Sequence, residues 1–356
     1  MRLIEKIWFA PQRVNYGLAS LFTLLLLPFS GLFYLLSTSR RYLYQLGLLK
    51  VVEVSKPVIV VGNISVGGNG KTPLVLWLIE QCKLLGLTVG VLSRGYGGNA
   101  ENHPLLLDES TTAVQAGDEP VMIYKRTGVA VVVGSDRVAS AEKLIAQGCN
   151  IIISDDGLQH YRLGRAVEIA VIDGKRGFGN SLLMPAGPLR EGLWRLKTVD
   201  HVIVNGETAL DFSKLATILM NLQARTIVNI LSKEQLSIDE FLQKVTNDHH
   251  EVNAIAGIGA PQRFFDTLVS SKMNINQQKA FVDHYAYQAD DFTDFTHTKN
   301  KNKNKTPLVM TEKDAVKCVG FAKNNWWYLP VDAQFDEKQI TPLLTQLVAL
   351  KNKTHF

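Results

Sequence analysis

The stretch Val58-Ile-Val-Val-Gly62-Asn-Ile-Ser-Val-Gly67-Gly-Asn-Gly70-Lys-Thr-Pro73 decides the fold of this chain. A run of apolar, strand-like residues leads into a glycine-rich turn, and Gly-Lys-Thr then opens a helical pattern. Glycines let successive backbone N–H groups face an anion, a lysine reaches the β- and γ-phosphates, and a threonine hydroxyl can bind Mg²⁺. The usual pattern has glycine where this chain has Ser65, so the match is to the Gly-Gly-x-Gly-Lys-Thr variant. The stretch indicates a nucleotide-binding P-loop.

The predicted nucleotide contacts all lie in this turn and at the start of the helix that follows. The alternative is a chance glycine-rich turn between a strand and a helix, and the Lys-Thr pair directly after Gly70 argues against it. The expected cofactor-binding residues are Gly67, Gly68, Asn69, Gly70, Lys71, Thr72 and Pro73.

The composition is that of a globular protein with a sizeable core. The chain has 356 residues, of which 46% are hydrophobic and 20% charged, and this length favours two domains. The formal net charge of +5 fits an acidic or phosphorylated partner or an anionic membrane, and does not by itself imply nucleic acid. Cys82, Cys149 and Cys318 are scattered, so we expect reduced core cysteines in a cytosolic compartment rather than metal ligands or disulfides.

The N-terminal region contains an uncharged stretch, residues 16–36, that is long enough to cross a bilayer, for which about 20 residues suffice. A secretory signal is disfavoured because no small-x-small cleavage site follows it. Basic residues on both sides weaken the case for a simple span, because the positive-inside rule would place one flank outside. We predict a membrane-embedded or in-plane anchor on the cytoplasmic face, with a full span second and a buried core helix as the alternative. The flanking basic residues are Arg2, Lys6, Arg13, Arg40 and Arg41.

Short apolar runs alternate with helical patterns after residue 50. This alternation predicts a parallel sheet covered by helices on both faces, with ligands at the carboxyl ends of the strands. Strands are predicted at 58–61, 88–92, 129–133, 150–154, 167–172 and 201–204, and helices at 72–85 and 135–147.

A second, smaller α/β set follows. Its predicted strands are 226–230, 251–256, 279–282, 307–310 and 327–329, and its predicted helices are 238–245, 262–268 and 334–350. The expected fold is therefore α/β, with a P-loop NTPase-like, mostly parallel sheet, a second smaller α/β lobe and an N-terminal hydrophobic helix. We place domain limits at 1–50, 51–215 and 216–356. Residues 298–306 are basic and of low complexity, which predicts a solvated loop, or alternatively a contact with anionic lipid.

Several polar groups follow the predicted strands. Asp155 and Asp156 end a buried strand, where P-loop enzymes keep the acid that holds Mg²⁺, although an ordinary Asp-Gly turn is the alternative. Arg94, in a turn with three glycines, is well placed for a phosphate, and so is Arg137, while both are also ordinary solvated positions. Gly117-Asp118-Glu119-Pro120 is equally consistent with a functional acid and with an ordinary helix start.

Two motifs stand out in the second lobe. His284 lies just beyond a predicted strand, where an isolated histidine is usually structural. Thr311-Glu-Lys-Asp-Ala315 follows a strand and opens a helix; it is not Asn-Lys-x-Asp and so does not indicate guanine recognition.

The ordered set of motifs resembles that of the tetraacyldisaccharide 4′-kinase family of the lipid A pathway. Each motif alone is weak, but together they keep the family's order over roughly residues 56–316, which is most of the chain. Leu158 departs from the family pattern, because an aromatic residue is expected there in many members. The matching stretches are 62–63, 67–73, 93–98, 117–120, 155–160, 185–191, 283–285 and 311–315.

The resemblance implies transfer of the γ-phosphoryl group of ATP to the 4′-hydroxyl of tetraacyldisaccharide 1-phosphate, giving lipid IVA, with ATP and Mg²⁺ as cofactors. It also implies two lobes that close over the nucleotide, inner-membrane association with both lobes on the cytoplasmic side, and a lipid substrate. No nucleic acid and no obligate protein partner are expected. The implied catalytic residues are Asp118, His284, Lys71 and Arg137; the metal residues are Thr72, Asp155, Asp156 and Glu191; the substrate residues are Arg94, Tyr96, Glu119, Gln159 and His160.

Other classes of P-loop protein compete with this interpretation. A membrane-associated ATPase of the partition or maturation type shares the Gly-Gly-x-Gly-Lys-Thr turn, but it usually carries lysine where this chain has Val66. A nucleotide switch of the GTPase form lacks support without Asn-Lys-x-Asp. A membrane scaffold with an inactive P-loop is disfavoured because Lys71, Thr72 and Asp155 are all present.

Overall fold

The computed structural model describes residues 3–9, 18–100, 103–208, 210–212, 215–246, 249–296 and 306–354. The predicted basic loop at 298–306 lies outside the described residues except for its last position. Within these ranges the chain forms two α/β lobes, each built on one sheet.

The strands, in chain order, are β1 (Val58–Gly62), β2 (Val89–Ser93), β3 (Leu105–Leu106), β4 (Ala130–Val133), β5 (Ile151–Asp155), β6 (Val167–Asp173), β7 (His201–Asn205), β8 (Thr217–Gln223), β9 (Thr226–Asn229), β10 (Gln235–Ser237), β11 (Glu251–Ala256), β12 (Asn274–Ala280), β13 (Leu308–Thr311), β14 (Trp326–Leu329) and β15 (Asp332–Phe335).

The helices, in chain order, are α1 (Leu3–Phe9), α2 (Leu18–Gln45), α3 (Lys71–Leu84), α4 (Ala113–Ala116), α5 (Asp118–Thr127), α6 (Arg137–Ala146), α7 (Ile238–Lys244), α8 (Pro261–Ser270), α9 (Thr293–Thr296), α10 (Glu312–Cys318) and α11 (Glu337–Thr354).

The sheet of the first lobe has the order β15-β8-β7-β6-β1-β5-β2-β4-β3 among the described residues, and its central strands are parallel. Every residue of β1, β2 and β5 is buried, as expected for strands covered by helices on both faces. Register pairs Val61 of β1 with Asp155 of β5, so the polar residues that follow both strands meet at one edge of the sheet. The predicted parallel α/β core is confirmed.

The sheet of the second lobe has the order β10-β9-β14-β13-β11-β12 over the same described ranges. β14, β13, β11 and β12 are parallel, and β9 and β10 join antiparallel. The turn after β11 leads through Gly257 and Gly259 into α8, and the end of β13 leads directly into α10. Both turns lie at the carboxyl ends of parallel strands, which is where open α/β sheets bind ligands.

Sheet membership differs from the division that we predicted at residue 215. β8 lies beyond that residue but extends the first sheet, and β15 returns from the second lobe to pair with β8 antiparallel. Leu343, Leu347 and Leu350 of α11 then pack into the same core as β1 and α3. The chain therefore crosses between the lobes twice. Within the predicted C-terminal lobe of 216–356, the first strand (β8), the last strand (β15) and the last helix (α11) belong to the first lobe instead.

Two predicted elements are misplaced. The predicted strand 279–282 is instead β12 (Asn274–Ala280), an edge strand. Its residues alternate between exposed and half-buried and most are polar, so the sequence gives only a weak apolar signal. The predicted helix 334–350 begins only at Glu337, because the residues before it belong to β15. The remaining predicted strands and helices agree with the structure to within a few residues.

The apolar N-terminal stretch forms α2, which lies mostly outside the core. Ser30 attaches it to the first lobe: its hydroxyl donates to the Leu183 carbonyl and accepts from the Ala186 amide, each at 2.9 Å. Residues 21–45 are long and apolar enough to cross a membrane, and little of their surface is buried. The alternative of a buried core helix is wrong.

The start of α5 is fixed by backbone contact with the turn after β2. Gly117 has φ 88° and ψ 156°, a region that is essentially confined to glycine. A Cβ at Gly117 would lie 2.7 Å from the Tyr96 carbonyl oxygen, and one at Gly98 would lie 2.5 Å from the Gln115 carbonyl oxygen. These close approaches place Asp118, the first residue of α5, against the Arg94–Gly98 turn.

We expect Gly117→Ala to destabilise the protein by about 2 kcal/mol or more, because left-handed strain adds to a backbone clash. Gly128→Ala is the matched control. Gly128 ends the same helix with φ 65°, but an added Cβ there meets nothing within 4 Å. Thermal unfolding of the two variants checks this, and equal melting temperatures would contradict the proposed packing of the turn.

Candidate active site

The glycine-rich turn forms the anion cradle that the sequence predicts. Gly67 has φ 110° and Gly70 has φ 89°, so both adopt the left-handed conformation that glycine tolerates. The Ser65 hydroxyl accepts from the Asn69 amide group at 3.1 Å, so serine at this position braces the turn. Asn205, at the end of β7, donates to the Asn69 carbonyl at 3.2 Å. The turn is thus held from within and from the neighbouring strand.

Lys71 opens α3 and points toward the pair of carboxylates at the end of β5. Its Nζ lies 3.5 Å from Asp156 Oδ1, and Arg190 Nη1 lies 3.0 Å from Asp156 Oδ2. Burial raises the pKa of Asp156, but the charges of Lys71 and Arg190 outweigh it and lower that pKa to about 2. Asp156 also has φ 50°, an unusual conformation for a non-glycine residue and one that clusters at functional sites.

Asp155 is the residue that best fits a metal ion. Its side chain is buried, and Oδ1 has no hydrogen-bond partner among the described residues. Burial, and then the negative charge of Glu119, raise its pKa, so a nearby cation is needed to keep it ionised. Within the described ranges no three His, Cys, Asp or Glu side chains could hold a metal alone. Mg²⁺ at nucleotide sites is bound by one or two carboxylates together with phosphate oxygens, and the buried Oδ1 of Asp155 fits such a ligand.

Two arginines, Arg137 and Arg94, are close enough to His160 for their charges to act on it. Arg137 is buried and donates to the Asp155 carbonyl at 3.2 Å, while its Nε and Nη1 make no hydrogen bond to described residues. Burial lowers its pKa to about 10. Burial and then the charges of Arg137 and Arg94 lower the pKa of His160 to about 4, so His160 is neutral at pH 7. Arg137 thus carries two free donors into a site built for anions.

Glu191 and Gln159 lie behind the cradle. Gln159 Nε2 donates to the Asn63 carbonyl at 3.0 Å and to Glu191 Oε2 at 2.8 Å. The other oxygen, Oε1, accepts from the Tyr161 hydroxyl. Arg195 Nε lies 3.7 Å from Oε2. Both carboxylate oxygens of Glu191 are therefore engaged by protein groups, and its role as a metal ligand stays a prediction, as does that of Gln159 in substrate binding.

Asp118 and His284 meet across the two lobes. Asp118 is buried at the start of α5, and His284 follows β12 with φ 60°. His284 Nδ1 lies 3.0 Å from both carboxylate oxygens. Burial raises the pKa of Asp118, but the hydrogen bond from His284 and the charges of Lys313 and Lys317 outweigh it and lower that pKa. The hydrogen bond to Asp118 raises the pKa of His284, against the opposing effect of burial.

The Asp118–His284 pair adjoins the glycine cradle. A Cβ built at Gly259, in the turn after β11, would lie 3.9 Å from the Gly68 amide nitrogen and 3.5 Å from Asp283 Oδ2. Gly259 therefore lies between the cradle and the residue that precedes His284. The Tyr96 ring, from the turn after β2, lies 5.1 Å from the imidazole between ring centroids. The second lobe thus presents His284 at the edge of the anion site.

Ion pairs hold the lobes in this arrangement. Lys313 of α10 lies 3.1 Å from Glu119 of α5 and 3.4 Å from His284 Nε2. Glu312 contacts Arg126, the basic residue near the end of α5, at 2.7 Å. Arg263 of α8 donates to Asp173 at the end of β6 at 2.6 Å. Charges on α5 and β6 of the first lobe therefore match charges on α10 and α8 of the second.

Sequence reasoning missed several of these residues. Arg190 and Lys313 stand inside motifs that were singled out, but neither was given a role. The signal for Lys313 was a basic residue in a motif that follows a buried strand, and the signal for Arg190 was a basic residue inside a matching stretch, 185–191. Asn205 gave no signal, because an asparagine that ends a strand is usually only a turn residue. Leu158, where an aromatic residue was expected, is fully buried against Gly62 of the P-loop strand.

Comparison with known proteins agrees with this geometry. The family model of tetraacyldisaccharide-1-P 4′-kinase matches residues 22–349. The chain belongs to the tetraacyldisaccharide 4′-kinase family. It is 56% identical to the tetraacyldisaccharide 4′-kinase of Colwellia psychrerythraea, over 95% of this chain and 94% of that relative. It is 47% identical to the enzyme of Pasteurella multocida, over 91% of this chain and 94% of the relative.

A solved member of the tetraacyldisaccharide 4′-kinase family has the same fold. LpxK from Aquifex aeolicus, whose crystal structure is a complex with ATP, superposes with a TM-score of 0.76 at 28% identity. The match covers 92% of this chain and 99% of that one. The two-lobed architecture described above is therefore the architecture of the family.

We expect the pKa of His284 to lie above the ordinary value of about 6.5, and Asp118→Asn to lower it, because the neighbouring anion is lost. His160 is the internal contrast and should stay neutral to about pH 5. Side-chain NMR titration measures both. Since the folded pKa of His284 exceeds the unfolded value, its stabilising contribution is complete at low pH and disappears as pH rises through the folded pKa. If Asp118→Asn leaves the pKa of His284 unchanged, the proposed hydrogen-bonded pair of Asp118 and His284 is contradicted.

Proposed function

We propose that Asp118 and His284 perform the phosphoryl transfer of this family at the mouth of the glycine cradle. The chain is an ATP-dependent tetraacyldisaccharide 4′-kinase of lipid A biosynthesis, which phosphorylates the 4′-hydroxyl of tetraacyldisaccharide 1-phosphate to give lipid IVA. The observation that carries the assignment of roles is the hydrogen bond between His284 and Asp118, beside the cradle and across the lobes.

In this mechanism Asp118 accepts the proton of the 4′-hydroxyl as that oxygen attacks the γ-phosphorus. His284 holds the carboxylate through Nδ1–H and keeps it oriented toward the acceptor. A hydrogen-bonded, anionic carboxylate suits this role, because phosphoryl transfer needs alignment and late proton acceptance rather than a strong base. The oxygen–phosphorus bond to ADP breaks as the bond to the sugar oxygen forms.

The first lobe binds the triphosphate. The amides of the 67–70 turn and the Lys71 ammonium hold the phosphates, and Arg137, with its two free donors, offsets charge on the transferred group. Thr72 and Asp155, with Asp156 beside them, would hold Mg²⁺, and the bound ion would neutralise charge on the phosphates. Closure of the second lobe excludes water from ATP.

The alternative, an ATPase of the partition or maturation type, is not favoured. The family model covers most of the chain, and a second lobe supplies a histidine to the carboxylate on α5.

We expect Asp118→Asn to lower kcat by about 10²–10⁴-fold while ATP binding is retained, because the loss of a positioned base acts on the chemical step. Lys71→Ala should weaken both ATP binding and turnover. Asp266→Asn, which changes an exposed carboxylate on α8, is the control and should be unaffected. The assay uses labelled ATP and a tetraacylated disaccharide 1-phosphate, followed by detection of the bisphosphorylated lipid. Normal turnover by Asp118→Asn would show that a different residue accepts the proton.

We further propose that α2 holds both lobes on the cytoplasmic face of the inner membrane. Its outward face exposes a continuous set of apolar side chains, including Leu24, Leu25 and Phe29, each more than half exposed. Near its end, Arg41 donates to Thr198 and stacks over Trp194, with the guanidinium carbon 4.2 Å from the ring centroid. An apolar face that ends in aromatic and basic side chains is typical of a membrane interface.

We expect Leu25→Glu to weaken binding to vesicles that contain anionic lipid, because it places a charge in the acyl region. Val269→Glu is the matched control. Val269 is 60% exposed and Leu25 63%, but Val269 lies on α8 of the second lobe. Vesicle flotation separates bound from free protein, and equal flotation of the two variants would contradict the membrane assignment.

A further inference from the structure

The two oxygens of Asp118 have different surroundings. Oδ1 accepts from the Glu119 amide at 2.9 Å as well as from His284. Oδ2 faces α10 of the second lobe, where Lys317 Nζ lies 3.8 Å away and Lys313 Nζ 3.9 Å away. His284 is shared by both oxygens, so the two edges differ in their other contacts: the first lobe donates a backbone N–H to Oδ1, and lysines of the second lobe face Oδ2.

Lys317 is held in place by groups of its own lobe. Its side chain is 9% exposed, its Nζ lies 2.9 Å from Asp314 Oδ1, and it stacks over the Tyr287 ring at 4.8 Å. Asp314 is fully buried, and its Oδ2 accepts from the Gly257 amide at 3.0 Å and from the Thr311 hydroxyl at 2.6 Å. The ammonium of Lys317 therefore lies between Asp314 of its own lobe and Asp118 of the first lobe.

Lys313 and Lys317 lie one helical turn apart and so share one face of α10. Lys313 has two carboxylates closer than Asp118, namely Glu119 at 3.1 Å and Asp283 at 3.2 Å. Its charge is therefore shared among several anions and the His284 ring. Lys317 has one closer carboxylate, Asp314 of its own lobe at 2.9 Å, and Asp118 at 3.8 Å is its contact across the lobes. The N-terminus of α5 adds to the same positive field.

We propose that Lys317, braced by Asp314, is a positioning residue for Asp118: it holds the Oδ2 edge of the carboxylate ionised and oriented when α10 docks on α5. This inference rests on the proposed role of Asp118 as the base. It makes the competence of the base depend on lobe closure, because the Lys317 ammonium belongs to the second lobe and the carboxylate to the first.

The charged groups that face Asp118 from each packed element set the expected pH dependence. They are His284 after β12 and Lys313 and Lys317 on α10, and the Glu119 backbone amide on α5 donates to the same carboxylate. An opposite charge at this distance lowers the pKa of a carboxylate, so removal of the Lys317 charge raises that pKa. The acid limb of the kcat–pH profile, where Asp118 becomes protonated, should then move to higher pH.

The test compares Lys317→Met, Lys317→Arg and wild type by steady-state kinetics between about pH 3 and pH 9, because the pKa of Asp118 is lowered from an ordinary value of about 3.9 and its acid limb lies at the low end of that range. Lys317→Met should lower kcat at neutral pH by about tenfold, leave the KM for ATP unchanged and move the acid limb up by about one pH unit. Lys317→Arg keeps the charge and should restore the limb. Lys244→Met, at an exposed surface lysine paired with Glu240, is the control and should match wild type.

Lys317→Met leaves Asp314 buried and unpaired, which can unfold the protein. The double variant Asp314→Asn with Lys317→Met removes both buried charges, and melting temperature and ATP binding report its fold. A folded double variant with a shifted acid limb supports the inference. If the double variant keeps the wild-type kcat and the wild-type acid limb of the kcat–pH profile while Asp118→Asn is inactive, this inference alone is overturned. An active Asp118→Asn would overturn the proposed base itself.

Discussion

The hydrogen bond between Asp118 and His284 is the contact on which the rest of the structure depends. Each residue belongs to a different lobe: Asp118 begins helix α5 of the first lobe, and His284 lies in the turn after β12 of the second. Asp118 is buried at the start of α5, and His284 adopts a left-handed conformation that a non-glycine residue rarely keeps without support. The two lobes thus contribute one residue each to the pair that we propose as the proton acceptor. That pair is complete only while the lobes are in contact.

Electrostatics explains why the lobes meet in this way. The first lobe has carboxylates at the start of α5 and at the end of β6. They form ion pairs with three basic residues of the second lobe, Lys313, Lys317 and Arg263. An uncompensated buried carboxylate is costly, whereas paired and hydrogen-bonded carboxylates keep their charge. The same pairing that joins the lobes therefore keeps Asp118 anionic. Asp155 remains without such a partner on Oδ1, which suits a residue whose partner is a metal ion.

The sequence predicted the core of the first lobe well, because buried parallel strands read as continuous apolar runs and Gly-Lys-Thr follows one of them. β8 and β15 were missed for the opposite reason: β15 is the edge strand and β8 lies next to it, both carry polar residues that are not buried, and the two strands pair across a long separation in the chain. Pattern alone cannot tell that β15 returns to the first sheet, since strand pairing at such distance leaves no local signal.

The functional residues divide in a similar way. Spacing alone left Gly117–Pro120 as an ordinary helix start, and only the resemblance to a kinase family assigned a role to Asp118. Lys313 and Lys317 look like solvated surface charges in the sequence, because nothing local shows that α5 of the other lobe covers them. Their burial is a property of the docked lobes, so it becomes visible only in three dimensions.

A double-mutant cycle on kcat between Asp118→Asn and His284→Asn tests the central claim most directly. If the two residues act as one unit, each single change removes most of the catalysis, and the double variant is little worse than either alone. Additive losses, in which the two reductions in kcat multiply, would show that the carboxylate and the imidazole act independently and would contradict the account.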